Sequence, residues 1–201
     1  MFDAHLRPWI DPPLDAAAAR AVAAGLTADA VTITGLGVGL IGAAAVALGA
    51  PLLGLFLLAC NRLADGLDGA IARRTILTDR GGFLDIVADF AIYAAYPLAF
   101  AVTDPAANAL AAASLLASII VSGTAFLAFA AIAAKRGMST AAQGEKTIYY
   151  LAGLAEGAET IAAFAAMCVW PQAFAGIAWA FAAVCGLTGA ARVVHALTVL
   201  R

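Results

Sequence analysis

Residues 65–73 read Asp-Gly-Leu-Asp-Gly-Ala-Ile-Ala-Arg, and residues 81–89 read Gly-Gly-Phe-Leu-Asp-Ile-Val-Ala-Asp. Both stretches place carboxylates at helical spacing in an otherwise apolar chain. The acids are Asp65, Asp68, Asp85 and Asp89. Each aspartate at mid-membrane costs about 3 kcal/mol when nothing compensates its charge. Divalent metal ions bound to a diphosphate substrate would supply that compensation, so the pattern indicates an enzyme.

The composition around these acids is that of an integral membrane protein. Of the 201 residues, 64% are hydrophobic and 12% are charged, whereas soluble domains have about 25% charged residues. A membrane-spanning helix needs about 20 apolar residues. We therefore expect an all-α membrane protein with six transmembrane helices in a single bundle. The apolar runs lie near residues 30–50, 52–72, 82–103, 107–134, 147–169 and 172–199.

The N-terminal segment differs from the rest of the chain. Residues 1–28 contain several prolines and acids rather than an apolar signal sequence, so no cleavable signal is expected. Pro13 to Leu26 predicts a short amphipathic helix on the membrane surface. No composition change marks a second domain, and residues 1–201 are expected to form one membrane domain with a juxtamembrane segment at 1–28.

The positions of the basic residues predict the orientation. All eleven Lys and Arg fall within residues 7–20, 62–80, 135–146 and 192–201. The connections near 50, 104–106 and 170–172 carry none. With six spanning helices the basic regions share one side, which the positive-inside rule makes cytoplasmic. The acidic motif opens to that side, so we expect a multi-pass membrane protein with a cytoplasm-facing site.

Helical geometry brings the motif residues together. Asp85 and Asp89 are four residues apart and share one face of their helix. A facing helix that offers Asp65 and Asp68 would complete a set of oxygen ligands for one or two Mg²⁺ or Mn²⁺ ions. Small residues at positions 69 and 72 leave the helix surface open to a bulky ligand. Arg73 can bind phosphate oxygens with its planar guanidinium.

Three other interpretations compete with an enzyme that binds metal ions and a diphosphate. The acids could be neutralised by ion pairs with Arg62, Arg73 and Arg80, although four clustered acids outnumber the partners at this depth. A divalent-cation transporter would also place acids along an ion path. An intramembrane prenyltransferase binds a diphosphate through aspartates, but this chain is short for that family's roughly nine helices.

The pattern Asp65-x2-Asp68-Gly69-x2-Ala72-Arg73-x7-Gly81-x3-Asp85-x3-Asp89 resembles the signature of the CDP-alcohol phosphotransferases, also called phosphatidyltransferases. Val31-Thr32 is similar to the family's N-terminal pattern. Residues 146–160 resemble small bacterial inner-membrane members whose acceptor is unassigned.

This resemblance implies a reaction and a set of partners. A phosphatidyl group would pass from CDP-diacylglycerol to the hydroxyl of an alcohol, and CMP would leave. A soluble CDP-alcohol donor with a lipid acceptor stays an alternative. Two Mg²⁺ or Mn²⁺ ions, the lipid bilayer and a homodimer are expected, and nucleic acid is not.

The resemblance also implies roles for individual residues. Asp65, Asp68 and Asp85 would ligate metal, and Asp89 would be a shared ligand or the general base. The residues expected to line the nucleotide and phosphate path are Gly69, Ala72, Arg73 and Gly81.

The acceptor is less well specified than the donor. Cations near the cytoplasmic helix ends could bind a phosphorylated polyol, or they could mark topology and contact lipid phosphates. They are Lys135, Arg136, Lys146 and Arg192. Glu156 and Glu159, three residues apart, could accept hydrogen bonds from acceptor hydroxyls or pair with a cation in the bundle. Members with phosphorylated acceptors often have Lys or Arg after the last motif aspartate, where this chain has Phe90.

Overall fold

The structure is a computed structural model that describes residues 3–138 and 155–201. These ranges are helical, with short connections between the helices. The helices are α1 (Asp3–Ala23), α2 (Ala28–Ala47), α3 (Pro51–Arg74), α4 (Asp79–Thr103), α5 (Pro105–Lys135), α6 (Gly157–Val169) and α7 (Phe174–Val199), and a 3₁₀ turn at Pro171–Ala173 precedes α7.

Side-chain caps and glycines set the helix ends. The hydroxyls of Thr27 and Thr78 accept hydrogen bonds from backbone N–H groups in the first turns of α2 and α4. Asp104 caps α5 in the same way. Gly25 and Gly49 follow α1 and α2 with φ of +79° and +82°, a backbone conformation that favours glycine. The helix predicted from the apolar run 30–50 therefore ends at residue 47.

Within residues 3–138 and 155–201, four segments are long and apolar enough to cross a membrane: Ala28–Ala47, Asp79–Thr103, Pro105–Lys135 and Pro171–Val199. The prediction of six spanning helices is therefore not confirmed by the described residues. Helix α3 has 24 residues, enough to span at 1.5 Å per residue, but it contains the charged motif. Helix α6 has 13 residues, about 20 Å. The rest of the predicted run 147–169 lies outside the described residues.

The packing places α3 and α4 on one neighbour. Both helices pack against α2, and they approach each other less closely than either approaches α2. Helix α4 also packs against α5, which pairs extensively with α7, while α6 lies on α3 and α7. Side chains from α3 and α4 can therefore meet across a space between the two helices.

Small residues let α2 and α3 pack closely. A methyl group added at Gly42 would lie 3.2 Å from the carbonyl oxygen of Gly54. The hydroxyl of Tyr96 on α4 donates to that carbonyl oxygen at 2.8 Å. The Tyr96 ring stacks on Phe164 of α6, with centroids 5.7 Å apart. These contacts join four elements in the main hydrophobic core.

Helix α1 lies against the C-terminal half of α3. Ala18 and Ala21 of α1 are buried with Ala70 and Ile71 of α3, and Leu14 packs beside them. The expected helix over 13–26 is present, but it belongs to a longer helix that ends at residue 23. Its placement on the membrane surface stays a prediction.

Candidate metal and nucleotide site

Asp68 is the most buried acid of the motif, with 6% of its surface exposed. The hydroxyl of Thr32 on α2 donates to Asp68 Oδ2 at 2.5 Å. The Thr32 hydroxyl also lies 3.0 Å from the carbonyl oxygen of Ala28, one helical turn earlier. Helix α2 therefore holds the Asp68 carboxylate in place through this hydrogen bond.

Asp65 and Asp85 meet across the space between α3 and α4. Their carboxyl groups lie near enough to interact directly. Two neighbouring ionised carboxylates repel each other unless a proton or a cation lies between them. The contact therefore marks a point at which the two helices jointly favour positive charge.

Both oxygens of Asp89 have partners. Arg62 Nη1 on α3 donates to Asp89 Oδ1 at 2.7 Å, and the Tyr93 hydroxyl lies 3.3 Å from Oδ2. The same Arg62 nitrogen is 3.6 Å from Asp65 Oδ2. Arg62 thus connects one acid from each helix.

A short hydrogen-bond chain positions the Arg62 guanidinium. Its Nε donates to Asn61 Oδ1 at 2.9 Å, and Asn61 Nδ2 donates to the carbonyl oxygen of Gly35 on α2, also at 2.9 Å. Asn61 is 3% exposed. Because this amide is fixed between α2 and Arg62, the guanidinium is directed toward the carboxylates.

The ion-pair interpretation therefore accounts for part of the motif. Arg62 does pair with Asp89 and Asp65. Arg80 instead pairs with Asp29 at the start of α2, at 3.1 Å. One arginine cannot neutralise four acids, so the acids outnumber their arginine partners, as expected. Arg62 is an additional residue of the site, because it pairs with two of the four acids.

The residues expected to bind nucleotide and phosphate occupy different parts of this end of the fold. A methyl group added at Gly69 would lie 3.2 Å from Arg73 Nη1, so the guanidinium lies over that glycine. Arg73 is exposed and Ala72 is half-buried. Gly81 lies in the first turn of α4, where its N–H donates to the Thr78 hydroxyl at 3.0 Å.

The donor set fits a hard divalent cation. The motif supplies carboxylate oxygens from two helices, which are the ligands that Mg²⁺ and Mn²⁺ prefer. Within residues 3–138 and 155–201, no three acidic, imidazole or thiol groups converge into a ready-made metal cage. The Asp65–Asp85 contact is the observation that favours a cation between the helices.

The two predicted acceptor glutamates have local structural contacts. Glu156 is the N-cap residue of α6, and its N–H donates to Glu159 Oε2 at 3.2 Å. The two residues therefore form a capping box at the start of α6. Their role in acceptor binding stays a prediction.

The predicted acceptor cations do not form one cluster among the described residues. Lys135 is exposed in the last turn of α5. Arg136 Nη2 donates to the carbonyl oxygen of Leu200 at 2.9 Å. Arg192 is buried, and its Nη1 donates to the carbonyl and hydroxyl oxygens of Ser122 on α5. Lys146 lies outside the described residues.

Comparison with known proteins identifies the family. The family model of the CDP-alcohol phosphatidyltransferases matches residues 26–198, which include both acidic stretches. The chain belongs to this family. It is a membrane transferase for substituted phosphate groups and acts in phospholipid biosynthesis. The predicted family membership is therefore confirmed. The match does not support a transporter or a prenyltransferase.

Two sequence relatives are similar to this phosphatidyltransferase. Inner membrane protein YnjF of Escherichia coli is 46% identical over 193 residues, covering 96% of this chain and 94% of the relative. Archaetidylinositol phosphate synthase of Methanothermobacter thermautotrophicus is 41% identical over 89 residues, covering 44% of this chain and 42% of that protein.

The fold is also similar to solved structures of Mycobacterium tuberculosis phosphatidylinositol phosphate synthase. The structure with bound CDP-diacylglycerol has a TM-score of 0.75 and 23% identity, covering 92% of this chain and 94% of that one. The complex with manganese and citrate has a TM-score of 0.73, with coverage of 92% and 89%. This likeness establishes the shared fold.

Proposed function

We propose that this phosphatidyltransferase moves a phosphatidyl group from CDP-diacylglycerol to the hydroxyl of an alcohol and releases CMP. The observation that carries the proposal is the meeting of carboxylates from α3 and α4 within the segment that matches the family. The structural neighbour with bound CDP-diacylglycerol supports this choice of donor.

The metal ligands proposed are Asp65, Asp68 and Asp85, with Asp89 as a shared ligand or the general base. A bound Mg²⁺ or Mn²⁺ would offset the negative charge of the diphosphate and of the phosphoryl group during transfer. The manganese complex of the structural neighbour supports a divalent ion of this kind. Thr32 would keep Asp68 directed toward the site through its 2.5 Å hydrogen bond.

The donor would lie over the open surface of α3. Gly69 and Ala72 leave room for the nucleotide, and Arg73, whose guanidinium already lies over Gly69, would contact phosphate oxygens. Gly81 would border the same path from the start of α4. These contacts would orient the phosphorus for attack by the acceptor.

The acceptor hydroxyl would attack the phosphorus that carries the lipid. The new oxygen–phosphorus bond forms as the bond to the CMP phosphate oxygen breaks, and the acceptor proton passes to a carboxylate. Asp89 is the proposed proton acceptor, and the 3.3 Å contact of Tyr93 with its Oδ2 marks where a hydroxyl approaches that oxygen.

The test is CMP release by purified protein with CDP-diacylglycerol, with Mg²⁺ or Mn²⁺ and with single acceptors. The acceptor panel contains glycerol 3-phosphate, inositol phosphate, inositol, serine, glycerol and phosphatidylglycerol. A second arm supplies a soluble CDP-alcohol with a lipid acceptor. We expect metal-dependent release with one acceptor in the first arm.

The two arms separate the possible donors. Release only in the second arm would replace the proposed donor with a soluble CDP-alcohol. An absence of release in both arms, together with an absence of CDP binding, would contradict the proposed function. The proposed acceptor contacts are Lys135, Lys146, Arg192, Glu156 and Glu159. Substituting each of them in turn would test these contacts once the acceptor is known.

Two further proposals concern the whole assembly. The site would face the cytoplasm of the inner membrane, in keeping with the distribution of basic residues. The protein would form a homodimer, and chemical cross-linking in native membranes would test that assembly.

A further inference from the structure

We propose that Arg62 competes with a divalent cation for Asp65 and Asp89. Its guanidinium is then a positive charge built into the carboxylate cluster, which consists of Asp65, Asp68, Asp85 and Asp89. This inference rests on the metal site of the proposed function. Arg62 lies outside the acidic signature. It precedes Asp65 by three residues and so projects from the same side of α3.

The contacts of Arg62 resemble those of a bridging cation. Its Nη1 is 2.7 Å from Asp89 Oδ1 and 3.6 Å from Asp65 Oδ2. A single nitrogen therefore faces one acid from each helix, as a shared metal ion would. A metal ion could take both oxygens only if this guanidinium moved.

The structure also shows why Arg62 does not move freely. Its Nε donates to Asn61, which is itself fixed by the backbone of Gly35. The Arg62 side chain is 19% exposed. Displacement by a metal ion would break the ion pair and the Nε hydrogen bond, and both losses oppose binding of that ion.

Charge balance makes the competition selective for one ion. With all groups ionised, four carboxylates and one guanidinium leave three negative charges uncompensated. One divalent ion reduces this excess to a single charge, so the first ion is attracted strongly. A second ion would reverse the sign of the cluster while Arg62 stays in place, so we infer that it binds weakly before the diphosphate enters.

The experiment is a Mn²⁺ titration of the substrate-free, detergent-solubilised full chain, followed by electron paramagnetic resonance of free Mn²⁺. In Arg62→Gln, we expect the second, more weakly bound Mn²⁺ ion to bind at least about tenfold more tightly than it does in the wild type. Arg62→Lys retains the charge and should stay within about threefold of the wild type.

The matched control is Arg80→Gln, which makes the same change of charge at an exposed arginine paired with Asp29. Its Mn²⁺ affinities should stay within about threefold of the wild type, since exposed charges are well screened. Size exclusion and thermal denaturation report folding. Arg62→Met is a second uncharged variant if Arg62→Gln does not fold.

The outcomes separate this inference from the proposed function. If the wild type binds Mn²⁺ and both uncharged variants bind it equally or more weakly, the competition is refuted while the metal site stands. If neither the wild type nor the variants bind Mn²⁺, the metal site itself is refuted. Tighter binding in Arg80→Gln as well would assign the effect to general charge and would overturn the specific role of Arg62.

Discussion

At the scale of single residues, Asp68 tests the role of the motif most sharply because the structure holds its carboxylate firmly. Thr32 donates to its Oδ2, and only 6% of the residue is exposed. Asp68→Asn keeps a hydrogen-bond acceptor for Thr32 but removes the charge that would bind metal. We expect the rate of CMP release to fall at least about 100-fold, or roughly 2.7 kcal/mol, with the fold retained.

The control for this variant is Asp29→Asn, which removes the partner of the exposed Arg80 at the beginning of α2. Since exposed ion pairs contribute little, its rate should stay close to that of the wild type. Retention of more than about a tenth of the wild-type rate by Asp68→Asn would refute its assignment as a metal ligand.

The acids of the site could be predicted from spacing, but their partners could not. Helical periodicity places Asp85 and Asp89 on one face whatever the neighbouring helix is. Which acid meets Arg62 depends on how α3 and α4 are rotated against α2, and that rotation is a tertiary property. Tyr93 was missed for the same reason, although its position four residues after Asp89 is a signal that it shares that face.

At the scale of helices, the contact between α2 and α3 depends on small residues. A methyl group at Gly42 would lie 2.9 Å from Leu57 Cβ and 3.2 Å from the carbonyl oxygen of Gly54. Gly42→Ala should therefore force the helices apart and lower the free energy of unfolding by about 1–3 kcal/mol. Thermal denaturation in detergent measures the effect as a lower midpoint.

Gly37→Ala on the same helix is the matched control. A methyl group there would meet nothing within 4 Å. Alanine also has the higher helix propensity, so the variant should be as stable as the wild type or up to about 1 kcal/mol more stable. Equal midpoints for Gly42→Ala and Gly37→Ala would contradict the close packing of α2 on α3.

The existence of the helices could be predicted better than their limits and their membrane placement. Apolar runs locate α2, α4, α5 and α7 to within a few residues. The run 52–72 also predicts α3 through its charged motif, and the helix ends two residues later, at residue 74, where Ala70 and Ile71 pack against α1. An apolar run cannot show that α6 begins at Gly157. That start depends on the capping contacts between Glu156, which precedes the helix, and Glu159 in its first turn.

At the scale of the whole molecule, the distribution of basic residues predicts the orientation in the membrane. Helix α4 is one of the four segments able to span, so Ile76 and Ala106 just beyond its ends should lie on opposite sides. Both residues are exposed. In a background without Cys60, Cys168 and Cys185, an impermeant thiol reagent should label Ile76→Cys only from the cytoplasmic side and Ala106→Cys only from the other side.

Labelling of both positions from one side would show that α4 does not cross the bilayer. Exchange of the two sides would leave α4 as a spanning helix but would move the acidic motif away from cytoplasmic substrates. Either pattern would contradict the proposed access of the site from the cytoplasm.

The central claim is that carboxylates from α3 and α4 form one metal-dependent site for a CDP-linked donor. The most direct test is equilibrium binding of CDP to the solubilised protein, with and without Mn²⁺, in the wild type, Asp65→Asn and Asp85→Asn. We predict Mn²⁺-dependent binding in the wild type and at least about tenfold weaker binding in each variant. Binding that needs no metal, or Mn²⁺-dependent binding that survives both substitutions, would contradict the claim.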